Sequence, residues 1–441
     1  MVINRYSIIL VLLASILSCS SRDAPASDTT VRPPLLIMQN TWLENSLQAH
    51  KNNNSVTHDA LSTLLKKADK ALLASPYSVT QKSVTPPSGD KHDYMSVGPY
   101  WWPNPDTPDG LPWVKRDGET NPTSEKGGTD KPVLNSMLND VSAMALAYTY
   151  TQDEKYAQHG AALLNAWFID PKTRMNPNLN FAQAVPGVSA GRIYGVIETR
   201  WLVRLTDDIT LLSASDALTQ EAVKSIKAWL TDYLKWLTQS DIGKGACDAY
   251  NNHGSYCEAQ TAALAYFVGN KKLAKKYVKR LFETRMAKQF EPNGAQPDEL
   301  KRTRPLHYSV FNLEAYFIAA RVGDALDMNY WDYTAKNGAN IKQAIDFILP
   351  AIYNKGYWAD NAYSPKMRVA RLYYFLQYAH EKYGDKKYQQ AISDLYPFAA
   401  KESRNEMLQC FLHMPKPEGY TLAVLNNIDP DRVKSHYRCY Y

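Results

Sequence analysis

Apolar residues at helical spacing recur in segment after segment from His58 to Phe398, and this pattern limits the possible folds more than any other feature. Residues 58–74 put Leu61, Leu64, Leu65, Ala68 and Leu72 on one helical face. The same periodicity predicts helices over 133–150, 154–168, 192–205, 217–237, 258–268, 273–289, 311–322, 341–352, 366–383 and 387–398. Gly-, Pro- and Asn-rich connections such as Gly269-Asn270 and Gly323-Asp324 separate them. Successive helical hairpins of this kind stack into a solenoid or close on themselves. The expected fold is all-α: an (α/α)n toroid or incomplete barrel around a central cleft, over residues 35–441. No block of alternating strands follows the helices, so a C-terminal β-sandwich is not expected.

Two long stretches, 81–129 and 175–189, carry no helical pattern. Loops of that length in a compact domain are usually functional or disordered. The first contains Tyr94-Met-Ser-Val-Gly-Pro-Tyr100-Trp101-Trp102-Pro-Asn-Pro, and its aromatic density suits a cleft wall or lid.

The N-terminus reads as an export signal. Arg5 is followed by an apolar run, residues 8–17, too short for a membrane-spanning helix. The run ends at Ile16-Leu17-Ser18-Cys19, a lipobox pattern that makes Cys19 the lipidated residue of a bacterial lipoprotein anchored in the periplasm or at the outer-membrane surface. Residues 20–34, rich in Ser, Asp, Thr and Pro, form a flexible tether. Export permits disulfides among the four remaining cysteines, Cys247, Cys257, Cys410 and Cys439. A Cys247–Cys257 bridge would brace the loop carrying His253. The spacings do not suit a zinc site, and no metal or cofactor is expected.

A net charge of +6 is compatible with a polyanionic partner, and 30 Tyr and 10 Trp offer surfaces for sugar rings. No nucleic-acid-binding motif is present, so nucleic acid is not an expected partner. Oligomeric state is not legible.

The candidate chemistry lies in Asn251-Asn252-His253-Gly254 and in Arg302-Thr-Arg304-Pro-Leu-His307-Tyr308. These supply amides, imidazole, guanidinium groups and a phenol. Such a set suits β-elimination from a uronate. A carboxylate beside the acidified C5 proton must be neutralised, a base must take that proton, and an acid must protonate the leaving O4. His253 is placed in a turn just before a helix, and Asn252 can donate to a carboxylate without titrating. Tyr308 is the acid/base candidate, with Arg302 and Arg304 favouring its phenolate; Arg302 also suits a carboxylate clamp. His307, next to Tyr308, is expected to point elsewhere and to bind substrate at most. Tyr100, Trp101 and Trp102 are stacking candidates, and Asn251, Gln183, Arg192 and Arg200 polar cleft candidates. Asp298/Glu299 is a carboxylate pair of a kind that could serve a glycoside hydrolase but that many proteins contain.

YMSVGPYWWPNP from Tyr94, NNHG from Asn251 and RTRPLHYSVFNLEA from Arg302 together resemble the alginate lyase family of α/α-toroid polysaccharide lyases. The resemblance implies a metal-independent lyase whose elimination site is Asn252, His253, Arg302 and Tyr308, with Arg304 an alternative to Arg302. It implies an acidic polysaccharide as partner: alginate first, glucuronan as the alternative. In mannuronate and glucuronate, H5 and O4 lie on one face, so one phenol can serve as base and then acid. In guluronate they lie on opposite faces, and His253 would act across from Tyr308. A toroid hydrolase and a non-catalytic glycan-binding lipoprotein are the competing classes.

Overall fold

The computed structural model describes residues 34–353 and 371–402. The signal segment with Cys19, nearly all of the tether, the expected helix start at 366–370, and Cys410 and Cys439 lie outside the described residues. The first helices are α1 Asn40–Lys51, α2 Ser55–Ala71, α3 Thr123–Lys126, α4 Asp130–Thr151, α5 Glu154–Leu164 and α6 Leu202–Leu212. Then come α7 Gln220–Gln239, α8 Asp241–Asp248, α9 Asn252–Phe267, α10 Lys271–Lys279 and α11 Met286–Gln289. The series ends with α12 Pro297–Leu300, α13 Pro305–Asp324, α14 Ile341–Ile348, α15 Arg371–Tyr383 and α16 Lys386–Glu402.

Burial separates inner from outer helices. In α9 every residue from Gly254 to Ala265 is buried, and α13 is buried on nearly all sides, so both have neighbours all round. By contrast, α7 buries Ile226, Trp229, Leu230, Tyr233, Leu234 and Leu237, a single stripe that leaves the other face to solvent. Packing follows the chain order: α4 against α2, α5 and α6; α9 against α7, α8, α10 and α13; then α13 to α14, α14 to α15 and α15 to α16.

Residues 36–42, at the start of the described domain, close this series into an α/α toroid. Backbone N–H groups of Leu36, Ile37 and Met38 donate to the buried Asp207 carboxylate on α6 at 2.6, 3.0 and 2.7 Å. Tyr378 on α15 donates to the Ile37 carbonyl at 3.0 Å, and Trp42 on α1 packs on the Tyr378 ring at 4.8 Å. One carboxylate thus satisfies three buried donors where first and late helices meet. Asp207→Ala is expected to destabilise the fold by about 3 kcal/mol, read as a shift in urea midpoint at unchanged slope.

The two long non-helical stretches are ordered against each other. β1 (Met95–Val97) pairs in parallel with β4 (Phe181–Ala184), and β2 (Trp101–Trp102) pairs antiparallel with β3 (Val114–Lys115). These four short strands are the only ones among the described residues.

Three helical expectations need correction. The helix expected over 192–205 is a 3-10 segment, Ile193–Thr199, followed by α6. Gly195 presses on Ala182 so closely that an added Cβ would lie 2.4 Å from its side chain, which holds this segment tightly on β4. Both α9 and α13 begin six residues before the expected starts. Asn251 caps α9 by accepting from the His253 N–H, and Pro305 occupies the first turn of α13. Helices α1 and α8 were not anticipated.

Candidate active site

A cavity of about 760 Å³ lies where the early N-terminal turns of α9 and α13 meet the β1–β4 region. Pro99, Tyr100, Trp101, Lys115 and Asp117 of the first long stretch form one wall, so that stretch is a cleft wall as its aromatic content suggested. Gln183, Arg192, Tyr194 and Arg200 line another side. Tyr250, Asn251, Asn252, His253, Arg302, His307 and Tyr308 complete the lining. Of the charged lining groups, Lys115, Arg192, Arg200 and Arg302 are cationic and only Asp117 is a carboxylate. Two helix N-termini add partial positive charge. The cleft is built for an anion.

Tyr308 sits in the first turn of α13, only 6% exposed. Its hydroxyl is 2.9 Å from that of Tyr100, and the Arg302 guanidinium carbon stands 3.8 Å from its ring centre. Burial and the neighbouring Tyr100 raise the phenol above its usual range; Arg302 opposes them and does not prevail. The resting phenol therefore keeps its proton, contrary to the expectation that neighbouring arginines favour phenolate. Arg302 donates to Asp117 at 3.2 Å, which fixes its plane over the ring.

His253 lies in the first turn of α9, not in a turn ahead of it. Burial, then Arg302, Arg192 and Arg200, push its imidazole down to about 3, so it is neutral at working pH. Its Nδ1 has no partner among the described residues, while Tyr194 meets the ring edge-on at 4.9 Å. Arg192 donates to the Gln183 carbonyl and side-chain oxygens at 2.9 and 3.1 Å. Gln183 itself has a left-handed φ of 49°, held by its N–H bond to Ser96 Oγ at 2.7 Å.

The alginate lyase family model matches residues 78–358, more than half of the sequence. This chain belongs to the alginate lyase family. The lyase resembles a crystal structure of an alginate lyase from Bacteroides ovatus, with TM-score 0.79 and 32% identity over 88% of this chain and 100% of that one. Alginate lyase A1-III, as a tyrosine-to-phenylalanine variant complexed with a tetrasaccharide, has TM-score 0.52 at 14% identity, covering 82% of this chain and 92% of that one. At that identity the likeness is one of fold. No curated protein matches the lyase by sequence. The protein is thus a polysaccharide lyase on an α/α toroid.

Some candidates fall outside the cavity of this lyase. Arg304 donates to the Gly118 carbonyl at 2.8 Å, and Trp102 donates to the Glu119 carbonyl at 3.1 Å with Arg116 over its ring. Both fasten the wall segment and do not line the cleft. His307, expected to point away, does line it, with its ring 5.1 Å from that of Tyr308. Both residues lie in the first turn of α13, which opens onto the cavity. The carboxylate pair does not serve a hydrolase: Asp298 faces Lys301 at the surface, and Glu299 is turned onto Asn252. Lys115, Asp117, Tyr194 and Tyr250 were not anticipated, because none belongs to a motif: Lys115 lies in β3, Tyr194 in the 3-10 segment, and Asp117 and Tyr250 in connections.

Glu299 supports the site from behind Asn252. Its two oxygens accept from the Asn252 backbone and side-chain N–H groups, both at 2.8 Å, which fixes the amide's orientation beside His253. Burial raises its carboxyl to about 7 against the opposing Asn252 bonds and Arg302. The raised value means that the folded protein holds the proton more tightly than the unfolded chain. The stability this contributes is complete below 4.5 and is lost as pH rises through about 7. Activity should move the other way, since only the ionised carboxylate accepts both Asn252 donors. Glu299→Gln is expected to lower activity about tenfold and to remove the inflection near pH 7, leaving only the continuous climb set by the Tyr308 phenol. An unchanged pH profile in that variant would separate Glu299 from the site.

The Cys247–Cys257 bridge is present, with sulfurs 2.00 Å apart, and joins α8 to α9 across the connection that carries Tyr250 to Asn252.

Proposed function

We propose that this lyase cleaves alginate, acting first on polymannuronate, by syn β-elimination with Tyr308 as base and then acid, and without a metal. The observation that carries this reading is the Tyr100–Tyr308 hydroxyl pair beneath Arg302, set in a cleft with four cations and one carboxylate. The Tyr308 proton leaves through the Tyr100 hydroxyl towards solvent. The phenolate then takes H5, and the electron pair moves into the C5–carboxylate system as an enediolate. Collapse of that species forms the C4–C5 double bond and breaks C4–O4, and the Tyr308 O–H returns the same proton to O4. The second amide N–H of Asn252 and the neutral His253 imidazole hold the carboxylate as charge develops, with the arginines supplying the positive field.

His253 suits that task because its burial beside three arginines leaves it a weak base, so it donates from one ring nitrogen and leaves the C5 proton to Tyr308. The tetrasaccharide held by alginate lyase A1-III supports an oligosaccharide as the occupant of the cleft. Glucuronan shares the geometry of mannuronate at C4 and C5 and is the alternative substrate. We also propose that Cys19 carries a lipid anchor and that the lyase acts outside the cytoplasm; loss of fatty-acid labelling in Cys19→Ala would be the expected result.

Proton NMR of a polymannuronate digest tests the reaction. An olefinic H4 signal growing in step with chain cleavage is the expected result. Cleavage with saturated ends only would replace the lyase by a hydrolase.

A further inference from the structure

We infer that Tyr250 is a sugar-binding platform at the mouth of the cleft, stacking on a pyranose ring next to the one that reacts. The inference rests on the polyuronate reading above. Of 30 tyrosines in the chain, three among the described residues are substantially exposed: Tyr194 at 37%, Tyr353 at 46% and Tyr250 at 69%. Two of these, Tyr194 and Tyr250, line the catalytic cavity. Tyr194 is engaged, with its ring against His253 and under Arg192. The Tyr250 ring has no aromatic, cationic or hydrogen-bonding partner among the described residues. A single exposed aromatic is ordinary on a surface; this one is set apart because it stands on the catalytic cavity.

The backbone beneath the ring is, by contrast, heavily restrained. Gln289 donates to the Tyr250 carbonyl at 2.7 Å. Arg285 donates to the carbonyls of Ala249 and Cys247, and Arg280 to that of Cys247 at 3.1 Å. The Cys247–Cys257 bridge spans the same connection, and Asn251 caps α9 directly after it. Carbonyls at 247, 249 and 250 are therefore all held from the 280–289 segment while one side chain projects outward. A fixed backbone with a free aromatic ring meets a sugar face with little ordering of its own, and C–H groups on the face of a uronate pyranose pack on such a ring without using its charge. Tyr250 lies two and three residues before Asn252 and His253, so a sugar on it continues the chain bound at the reacting residue.

The test compares Tyr250→Ala, Tyr250→Phe and Tyr250→Trp on polymannuronate and on short mannuronate oligomers of defined length. The alanine variant is expected to raise KM for the polymer roughly three- to tenfold with little change in kcat. It should also shift the product-size distribution, while phenylalanine and tryptophan restore KM. Unchanged KM and products in Tyr250→Ala, or failure of both aromatic replacements to restore them, would overturn the platform while leaving the lyase reading intact. A parent protein that neither cleaves nor binds these uronates would sink both.

Discussion

Tyr308→Phe is expected to lower kcat by about 10³-fold or more, since it removes base and acid in one substitution. Phenylalanine keeps the ring under Arg302 and the packing at the start of α13, so the fold and the affinity for polymer should be retained. The hydroxyl pair with Tyr100 is lost, and with it the route for the proton. Stopped turnover with unaltered polymer binding in a calorimetric titration is the predicted combination. Binding lost together with activity would mean that Tyr308 holds substrate and does not transfer its proton.

Arg302→Ala is expected to cost about 10²- to 10³-fold in kcat/KM, the scale seen when one charge-stabilising group is removed from a site. Its pH dependence is more diagnostic than its size. Burial and Tyr100 already raise the Tyr308 phenol, and Arg302 is the nearby group that opposes them. Because phenolate is the reactive form, the rate should climb with pH through the neutral and alkaline range in the parent lyase. Without Arg302 the phenol rises further, so this climb should move to still higher pH. Lysine at 302 should restore part of the rate and part of the shift, as it returns a charge without the planar stacking. A pH profile that drops in height but stays in place would assign Arg302 to substrate binding alone.

Most of the scaffold was legible because an outer helix must keep one apolar stripe, as in α7, and that stripe is a pattern in the sequence. Helix starts at the cleft were not. Asn252, His253, His307 and Tyr308 face the cavity, so the first turns of α9 and α13 break the apolar periodicity that defines the rest of those helices. Their capping signals, Asn251 and Pro305, stand ahead of the apolar pattern and mark starts that periodicity alone does not. The reacting groups could be found since they cluster in two short motifs. The wall residues Lys115 and Asp117 could not, because the β2–β3 pairing that sets Lys115 beside Trp101, and the ion pair that joins Asp117 to Arg302, connect residues with no shared pattern. Arg304 and Arg302 are two residues apart and equivalent on paper, and only the fold sends one to the cleft and the other to the Gly118 carbonyl. Glu299 looks on paper like any carboxylate of a common acidic pair, since a sequence does not reveal that Asn252 occupies both its oxygens.

The central claim is elimination from a uronate polymer, and one ultraviolet assay tests it directly. Purified mature protein is mixed separately with polymannuronate, polyguluronate and glucuronan, and the absorbance of the conjugated unsaturated uronate is followed. The account predicts a steady rise on polymannuronate that Tyr308→Phe eliminates. New reducing ends without any rise in absorbance on all three polymers would contradict it.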